Sequence, residues 1–227
     1  ERIVPMLETF GYPADEARNY ANDGCWELII PGKTSFGYRN IDVLAALQEA
    51  VGAAPETAVV PDFPDFEALY RAFEAAMARR ITETVNETYL GAGLPSKHPT
   101  PLLSILVEDC IERGRSYTEF GPAYTVRAPH ASGLQDAANS LLVMKRLVFE
   151  ERTMALGELV GIVRADWSGY ETLRRAVRSR FEFYGNDAAE ADAMVGRCYD
   201  SFTGLVGRVR ERFGVLRPAG ISTFGRE

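Results

Sequence analysis

The sequence predicts a helix-rich chain of the mixed α/β class, and three stretches carry this prediction. Over 65–89, and again over 187–213, apolar side chains recur every three or four residues, which is the period of a helix buried on one face. A third stretch, 121–130, reads GPAYTVRAPH, a run between turn residues that is typical of a strand. Long helices and short strands are therefore expected in one chain.

Ahead of the first long helix, the sequence predicts short elements. In chain order they are helical pieces over 1–21, a strand over 26–30, a capped helix that ends near residue 50 and a loop over 52–64. Gly11 and Pro13 interrupt the helical pieces, since neither residue suits a helix interior. Asn40 or Asp42 is predicted to cap the short helix, because both side chains accept hydrogen bonds from helix N–H groups.

After the first long helix, Pro101 is predicted to open a helix that reaches residue 113. Leu102, Leu106 and Cys110 are expected on its buried face. Further helices are predicted, in chain order, over 133–151, 155–166, 169–182 and 187–213. Cys198 lies on the apolar face of the last helix, so it and Cys110 are both interpreted as small buried hydrophobes.

The composition excludes several classes of protein. Of 227 residues, 46% are apolar and 25% charged, with a net charge of −7, as in ordinary globular domains. No cluster of Lys and Arg stands out, so nucleic acid is not an expected partner. No run of 18 apolar residues occurs and no secretory signal is found, so neither a membrane span nor export is predicted.

The cysteines and histidines also limit the chemistry. Three cysteines far apart do not form a disulfide framework, which favours a reducing cytosol. His98 and His130 are the two histidines, and neither has a neighbour at metal-ligand spacing, so no metal site is predicted. The chain begins at Glu1 without Met and ends at Glu227 in a stretch without helical period. We therefore expect a fragment of a longer protein.

The third cysteine, Cys25, stands in the turn of NDGCWELIIPGKT, over 22–34, rather than on a periodic face. Asp23 and Glu27 would raise the pKa of its thiol, which disfavours thiolate chemistry. No sequence spacing supports a histidine from elsewhere in the chain as a base for Cys25. Cys25 also has no neighbours at metal-ligand spacing. Hydrogen-atom chemistry by a thiyl radical needs no thiolate. From the residues alone, these uses and an incidental cysteine in a tight turn remain open.

NDGCWELIIPGKT resembles the cysteine loop of the glycyl radical enzymes, the pyruvate formate-lyase-like family. The eliminating members of that family carry Gly-Cys-x-Glu, which is present here over 24–27. Three further blocks resemble segments of the same family in the same order, over 100–125, 133–151 and 168–192. The four blocks together extend over most of the chain.

The resemblance implies a fold, a ten-stranded α/β barrel of two five-stranded halves with the cysteine on a central finger loop. Residues 1–227 would be part of this single domain and form its helix-rich second half. The resemblance also implies a glycyl radical in an Arg-Val-Ser-Gly-Tyr-like motif, installed by a separate activating enzyme that uses S-adenosylmethionine and an iron–sulfur cluster. Gly169, within WSGYE, is interpreted as a residue at a helix N-terminus. The glycyl radical domain is therefore absent from this chain and expected beyond it.

The resemblance assigns roles to individual residues. Cys25 would be the thiyl radical that abstracts hydrogen, and Glu27 the general acid or base. Trp26 and Leu28 replace the Val and Pro of the family loop, and are expected to shape the substrate site. His130 and Tyr124 are further candidates for substrate binding. No bound cofactor is expected.

The predicted function is that of a radical lyase or dehydratase that cleaves a C–O, C–N or C–S bond of a small molecule. A radical arylacetate decarboxylase, a formate acetyltransferase-like member and an inactive remnant are the alternatives. The acetyltransferase is disfavoured, because Cys25 is followed by Trp26 rather than by a second cysteine. The 227 residues alone are expected to be inactive. The complete protein is expected to form a homodimer in the cytoplasm or in a bacterial microcompartment.

Overall fold

The computed structural model describes residues 2–23, 27–55, 57, 59–88, 100–209, 215–216 and 219–222. Within these ranges the helices are α1 (Ile3–Thr9), α2 (Ala14–Ala17), α3 (Val43–Ala50), α4 (Phe66–Thr88), α5 (Pro101–Ile105), α6 (Leu134–Met144), α7 (Leu156–Arg164), α8 (Glu171–Arg180) and α9 (Ala189–Arg208). A 3₁₀ turn covers Tyr117–Glu119, and a π-helical turn, Lys145–Glu150, continues α6. The strands are β1 (Ala21–Asp23), β2 (Glu27–Ile29), β3 (Thr34–Asp42), β4 (Tyr124–Ser132), β5 (Val215–Leu216) and β6 (Gly220–Ser222).

The strands form two sheets. Strands β1 and β2 pair as an antiparallel ribbon. The second sheet has the order β3-β4-β5, and β6 also pairs with β4. Both β5 and β6 run parallel to β4, with Thr125 opposite Val215 and His130 opposite Gly220. Parallel neighbours of this kind are typical of sheets covered by helices.

The chain divides into two compact units. The first contains Glu1–Arg39, Thr84–Pro129 and Val209–Ala219, and the second contains Asn40–Glu83, His130–Arg208 and Gly220–Glu227. The ribbon of β1 and β2 belongs to the first unit. There it packs on a core of Leu7, Tyr12, Ala17 and Ile30, with Leu28 and Tyr124 against this core.

The second unit has a helical core. Helix α6 packs against α9. Helix α4 contributes a stripe of fully buried side chains that includes Leu69, Tyr70, Phe73 and Met77. The spacing of this stripe predicted the helix from the sequence, and the predicted range of 65–89 agrees with Phe66–Thr88 within one residue at each end. Within the described stretches, no helix is both long and apolar enough to cross a membrane.

Three further predictions about residues of the second unit are confirmed. Asp42 caps α3, since its carboxylate accepts a hydrogen bond of 2.8 Å from the Ala45 N–H. Cys198 on α9 is fully buried, and burial raises the pKa of its thiol to about 11. Gly169 has φ +78° and lies just ahead of α8, where its N–H donates to the Glu171 carboxylate at 3.0 Å. That position matches its interpretation as a residue at a helix N-terminus.

The predicted helix from Pro101 to residue 113 is wrong. Helix α5 ends at Ile105, and Leu102 and Leu106 are 74% and 68% exposed rather than buried. The chain turns instead, because Asp109 takes a left-handed φ of +73°, which no helix interior allows. Cys110 is nevertheless buried, as predicted, at 2% exposure.

Strands β1 and β3 were not predicted. The sequence of β3, TSFGYRNID, contains Gly37 and ends in Asn40 and Asp42, residues that are infrequent in strands and suggest turns or caps. Partners in the sheet stabilise β3 despite its low strand propensity. The long C-terminal helix is confirmed as α9, which ends at Arg208 rather than near residue 213.

Candidate active site

The ribbon of β1 and β2 brackets the predicted catalytic cysteine. The two strands pair in the register Ala21 opposite Ile29, Asn22 opposite Leu28, and Asp23 opposite Glu27. In the sequence, Gly24, Cys25 and Trp26 stand between the last two partners. These three residues lie outside the described ranges, so the roles predicted for Cys25 and Trp26 stay predictions.

Glu27 is the first residue of β2, and its side chain is buried at 7% exposure. Carboxylates are seldom buried unless other groups compensate for the lost hydration, so this burial marks an unusual position. Leu28, the next residue, is half-buried and contacts the apolar core of the first unit. The strand therefore holds the carboxylate two residues from Cys25 in a stretch anchored by apolar packing.

A tight turn follows the ribbon at 31–34, the Pro-Gly-Lys-Thr stretch. Gly32 has φ +74°, a conformation that favours glycine. The turn closes through hydrogen bonds from the Lys33 and Thr34 N–H groups to the Ile30 carbonyl, at 3.0 and 3.1 Å. In return, the Ile30 N–H donates to the Thr34 hydroxyl at 3.0 Å. Three hydrogen bonds thus fix the chain directly after β2.

Tyr124 lies at the start of β4 and shares the core of the first unit with Leu28. Its ring centroid is 4.5 Å from that of Tyr12, with the planes tilted by 44°. Burial raises the pKa of Tyr12 to about 12. Burial, followed by the neighbouring Glu16 carboxylate, also raises the pKa of Tyr124. Both phenols are therefore neutral near pH 7.

His130 lies on β4 within the second unit and is 2% exposed. The structure thus brings Leu28 and Tyr124 into one cluster, while His130 belongs to the other unit. His98 falls outside the described residues. Among the residues that the structure does describe, no group of three His, Cys, Asp or Glu side chains is arranged to hold a metal ion.

Sequence reasoning missed the polar groups that surround the Pro-Gly-Lys-Thr turn. The Lys33 ammonium lies 3.1 Å from a Glu16 carboxylate oxygen and 3.0 Å from a Glu108 carboxylate oxygen. Lys33 stands within the NDGCWELIIPGKT motif, so the sequence does show the cation. Its two partners come from distant parts of the chain, and no local pattern indicates them.

The antiparallel ribbon, the parallel pairing around β4 and the helices give a mixed α/β fold, in which the Gly-Cys-x-Glu stretch follows β1 in the sequence. The profile of the pyruvate formate lyase-like family matches residues 1–225, and the chain belongs to this family. The resemblance found in the sequence is thereby confirmed.

Relatives and solved structures agree with this assignment. The chain is 28% identical to trans-4-hydroxy-L-proline dehydratase of Clostridioides difficile, with 89% of the chain and 27% of that protein aligned. A structure concerned with 1,2-propanediol dehydration in Roseburia inulinivorans matches with a TM-score of 0.79 and 29% identity over 96% of this chain and 30% of that one. A glycyl radical enzyme from Archaeoglobus fulgidus matches with a TM-score of 0.78 and 25% identity over 96% and 29%.

These similarities show the fold. It is the α/β fold of the pyruvate formate-lyase type, and the chain has the structure of part of its barrel. The chain spans about 27% of the length of the curated relative.

Proposed function

We propose that the chain carries the cysteine loop of a glycyl radical lyase that eliminates water from a small hydroxylated molecule. The observation that supports this proposal most directly is the Gly-Cys-x-Glu stretch, in which Glu27, two residues after Cys25 in the sequence, is buried at 7% exposure. The relative from Clostridioides difficile is named a dehydratase, and the solved structure from Roseburia concerns a dehydration. Both support C–O cleavage over C–N cleavage and over decarboxylation, and four isethionate sulfite-lyases of 22% to 25% identity make C–S cleavage the second candidate.

In the proposed reaction, a glycyl radical supplies one step, the removal of a hydrogen atom from the Cys25 thiol. The Cys25 sulfur then takes a hydrogen atom from the substrate carbon that bears a hydroxyl group. Loss of this hydrogen atom from the carbon makes the hydroxyl group far more acidic, and the Glu27 carboxylate accepts the hydroxyl proton. The proton then leaves with the neighbouring hydroxyl group as water. The product radical takes the hydrogen atom back from Cys25, so atoms and electrons balance.

The buried position of Glu27 suits this role. A carboxylate shielded from water keeps its proton at the reacting atoms rather than exchanging it with solvent. General acid–base assistance of this kind typically contributes about 10²–10⁴ in rate. Trp26 and Leu28 flank the acid and would shape the substrate site, with Tyr124 and His130 as further candidates.

The complete protein would need a partner enzyme that installs the radical with S-adenosylmethionine and an iron–sulfur cluster. Residues 1–227 would form part of a single barrel domain and show no turnover alone. A homodimer in the cytoplasm or in a bacterial microcompartment is the expected setting.

An anaerobic substrate screen tests this function. The protein as its gene encodes it would be activated by its activating enzyme and offered small diols, hydroxylated amino acids and, for contrast, arylacetates. Carbonyl or imine products formed with the loss of water are expected. Release of carbon dioxide from an arylacetate, without dehydration of any diol or hydroxylated amino acid, would contradict the proposal.

A further inference from the structure

We propose that Lys33 is a positioning residue for the cysteine loop, holding β2 and Glu27 through two carboxylates from other parts of the first unit. We call Glu16, Lys33 and Glu108 the Lys33 clamp. This inference rests on the proposed function, since it assigns Lys33 a task in that reaction.

The contacts of the Lys33 side chain form the first part of the argument. Its ammonium group lies 3.1 Å from Glu16 Oε1 and 3.0 Å from Glu108 Oε1. The side chains of Lys33 and Glu16 are only 27% and 24% exposed, whereas that of Glu108 is 53% exposed. One cation thus connects α2, the turn after β2 and the segment that follows α5.

The backbone independently connects the turn to the segment that follows α5 and to the start of β4. The Glu108 N–H donates to the Gly32 carbonyl at 2.8 Å, and the Tyr124 N–H donates to the Lys33 carbonyl at 2.9 Å. Replacing the Lys33 side chain leaves these two bonds in place. A variant of Lys33 is therefore expected to fold, with a less restrained turn.

The pKa shifts of Glu16 and Lys33 favour the charged forms that the ion pairs of the Lys33 clamp require. The Tyr124 hydroxyl, and after it Lys33, lower the pKa of the Glu16 carboxyl although partial burial acts the other way. Hydrogen bonding to Glu108 and then to Glu16 raises the pKa of Lys33. Lys33 and Glu16 are thus charged near pH 7. Tyr124 packs on the same core as Leu28, so the clamp adjoins the apolar packing of strand β2.

The distance from the clamp to the acid is short along the chain. The turn that contains Lys33 is closed by hydrogen bonds to Ile30, and Ile30 directly follows β2. A shift of the turn therefore moves the strand that carries Glu27. Misplacement of reacting groups by about 1 Å can cost up to about 10²-fold in rate, even when the altered residue lies away from the chemistry.

The alternative is that Lys33 forms an ordinary surface ion pair, which contributes little to the stability of a protein. The chain offers a matched control for this reading. Lys145, at 32% exposure, also faces two carboxylates, at 3.3 Å from Glu150 and 3.6 Å from Glu190 in the second unit. Lys145→Met removes a similar bridge but does not touch the cysteine loop.

The test compares Lys33→Met, Lys33→Arg, Lys145→Met and Cys25→Ala in the full protein, activated by its partner enzyme. For Lys33→Met we expect kcat to fall by about tenfold to a hundredfold, with KM changed less and the glycyl radical signal unchanged in electron paramagnetic resonance. Lys33→Arg keeps the charge and both carboxylate contacts, so it should recover most of the rate. Lys145→Met should behave as the wild type.

A second measurement does not depend on turnover. Amide hydrogen exchange of the peptide that covers 27–34 should become severalfold faster in Lys33→Met and stay unchanged in Lys145→Met. Unchanged exchange and kcat in Lys33→Met, with Cys25→Ala inactive, would overturn the role of Lys33 alone. If Cys25→Ala stays active, the proposed function fails, and the clamp's role in catalysis fails with it.

Discussion

At the scale of single residues, the acid beside Cys25 shows how far sequence reasoning reaches. The Gly-Cys-x-Glu spacing singled out Glu27, but the spacing did not reveal that its side chain is buried at 7% exposure. The burial of Glu27 depends on how strand β2 packs within the folded chain, which no local sequence pattern describes. The periodic face of α9 did reveal Cys198 as a buried thiol, because burial on a regular helix repeats along the sequence, whereas Cys110 is buried although the helix predicted around it does not form.

Replacing Glu27 with glutamine tests the acid–base role at this scale. The amide keeps the size of the side chain but cannot accept a proton, so kcat should fall by about 10²–10⁴. The measurement is the rate of dehydration by the activated protein, with the radical signal recorded in parallel. Glu16→Gln is a useful contrast, because that carboxylate lies in the Lys33 clamp, where a smaller loss is expected. A rate close to that of the wild type in Glu27→Gln would remove the residue from the mechanism.

At the scale of elements, the sequence predicted those whose own residues specify them. The apolar stripe predicts helix α4, and the capping preference of aspartate predicts the cap of α3 by Asp42. Helix α5 and strand β3 were misjudged for opposite reasons. The apolar residues after Pro101 look helical, yet α5 ends at Ile105 and the left-handed φ of Asp109 excludes a helix up to residue 113. Strand β3, in contrast, is stabilised by its sheet although its residues have low strand propensity.

The cap of α3 provides a test of this local physics. Asp42→Ala removes the acceptor of the 2.8 Å bond from Ala45, so the free energy of unfolding should drop by about 1 kcal/mol. Asp42→Asn keeps a comparable acceptor and should cost much less. Urea unfolding monitored by circular dichroism measures both changes. Equal losses in the two variants would indicate that the charge of Asp42, rather than its capping bond, matters.

At the scale of the whole molecule, four sequence blocks in family order identified the fold correctly, although each block alone is short. The fold is shared with relatives of about a quarter sequence identity, because the core positions tolerate different apolar side chains. The substrate could not be predicted. The chain spans about 27% of its curated relative, so most of that relative's length has no counterpart in it.

The stability of the molecule should depend on alkaline pH through Tyr12. Burial raises the pKa of Tyr12 from 10.0 to about 12, so its phenol favours folding fully below pH 10, and this contribution disappears as the pH rises towards 12. The loss is at most about 3 kcal/mol. Unfolding free energies at pH 8 and pH 11, compared between the wild type and Tyr12→Phe, measure it. A Tyr12→Phe variant that loses as much stability as the wild type over this range would refute the assignment.

The central claim is that Cys25 performs the hydrogen abstraction, and one paired measurement tests it most directly. Cys25→Ala would be activated anaerobically, and both its glycyl radical signal and its product formation would be recorded. The control is Cys110→Ala, which removes a buried thiol that has no role in the proposed reaction. We predict a normal radical signal without product for Cys25→Ala, and both signal and product for Cys110→Ala. Product formation by Cys25→Ala at a rate near that of the wild type would contradict the account.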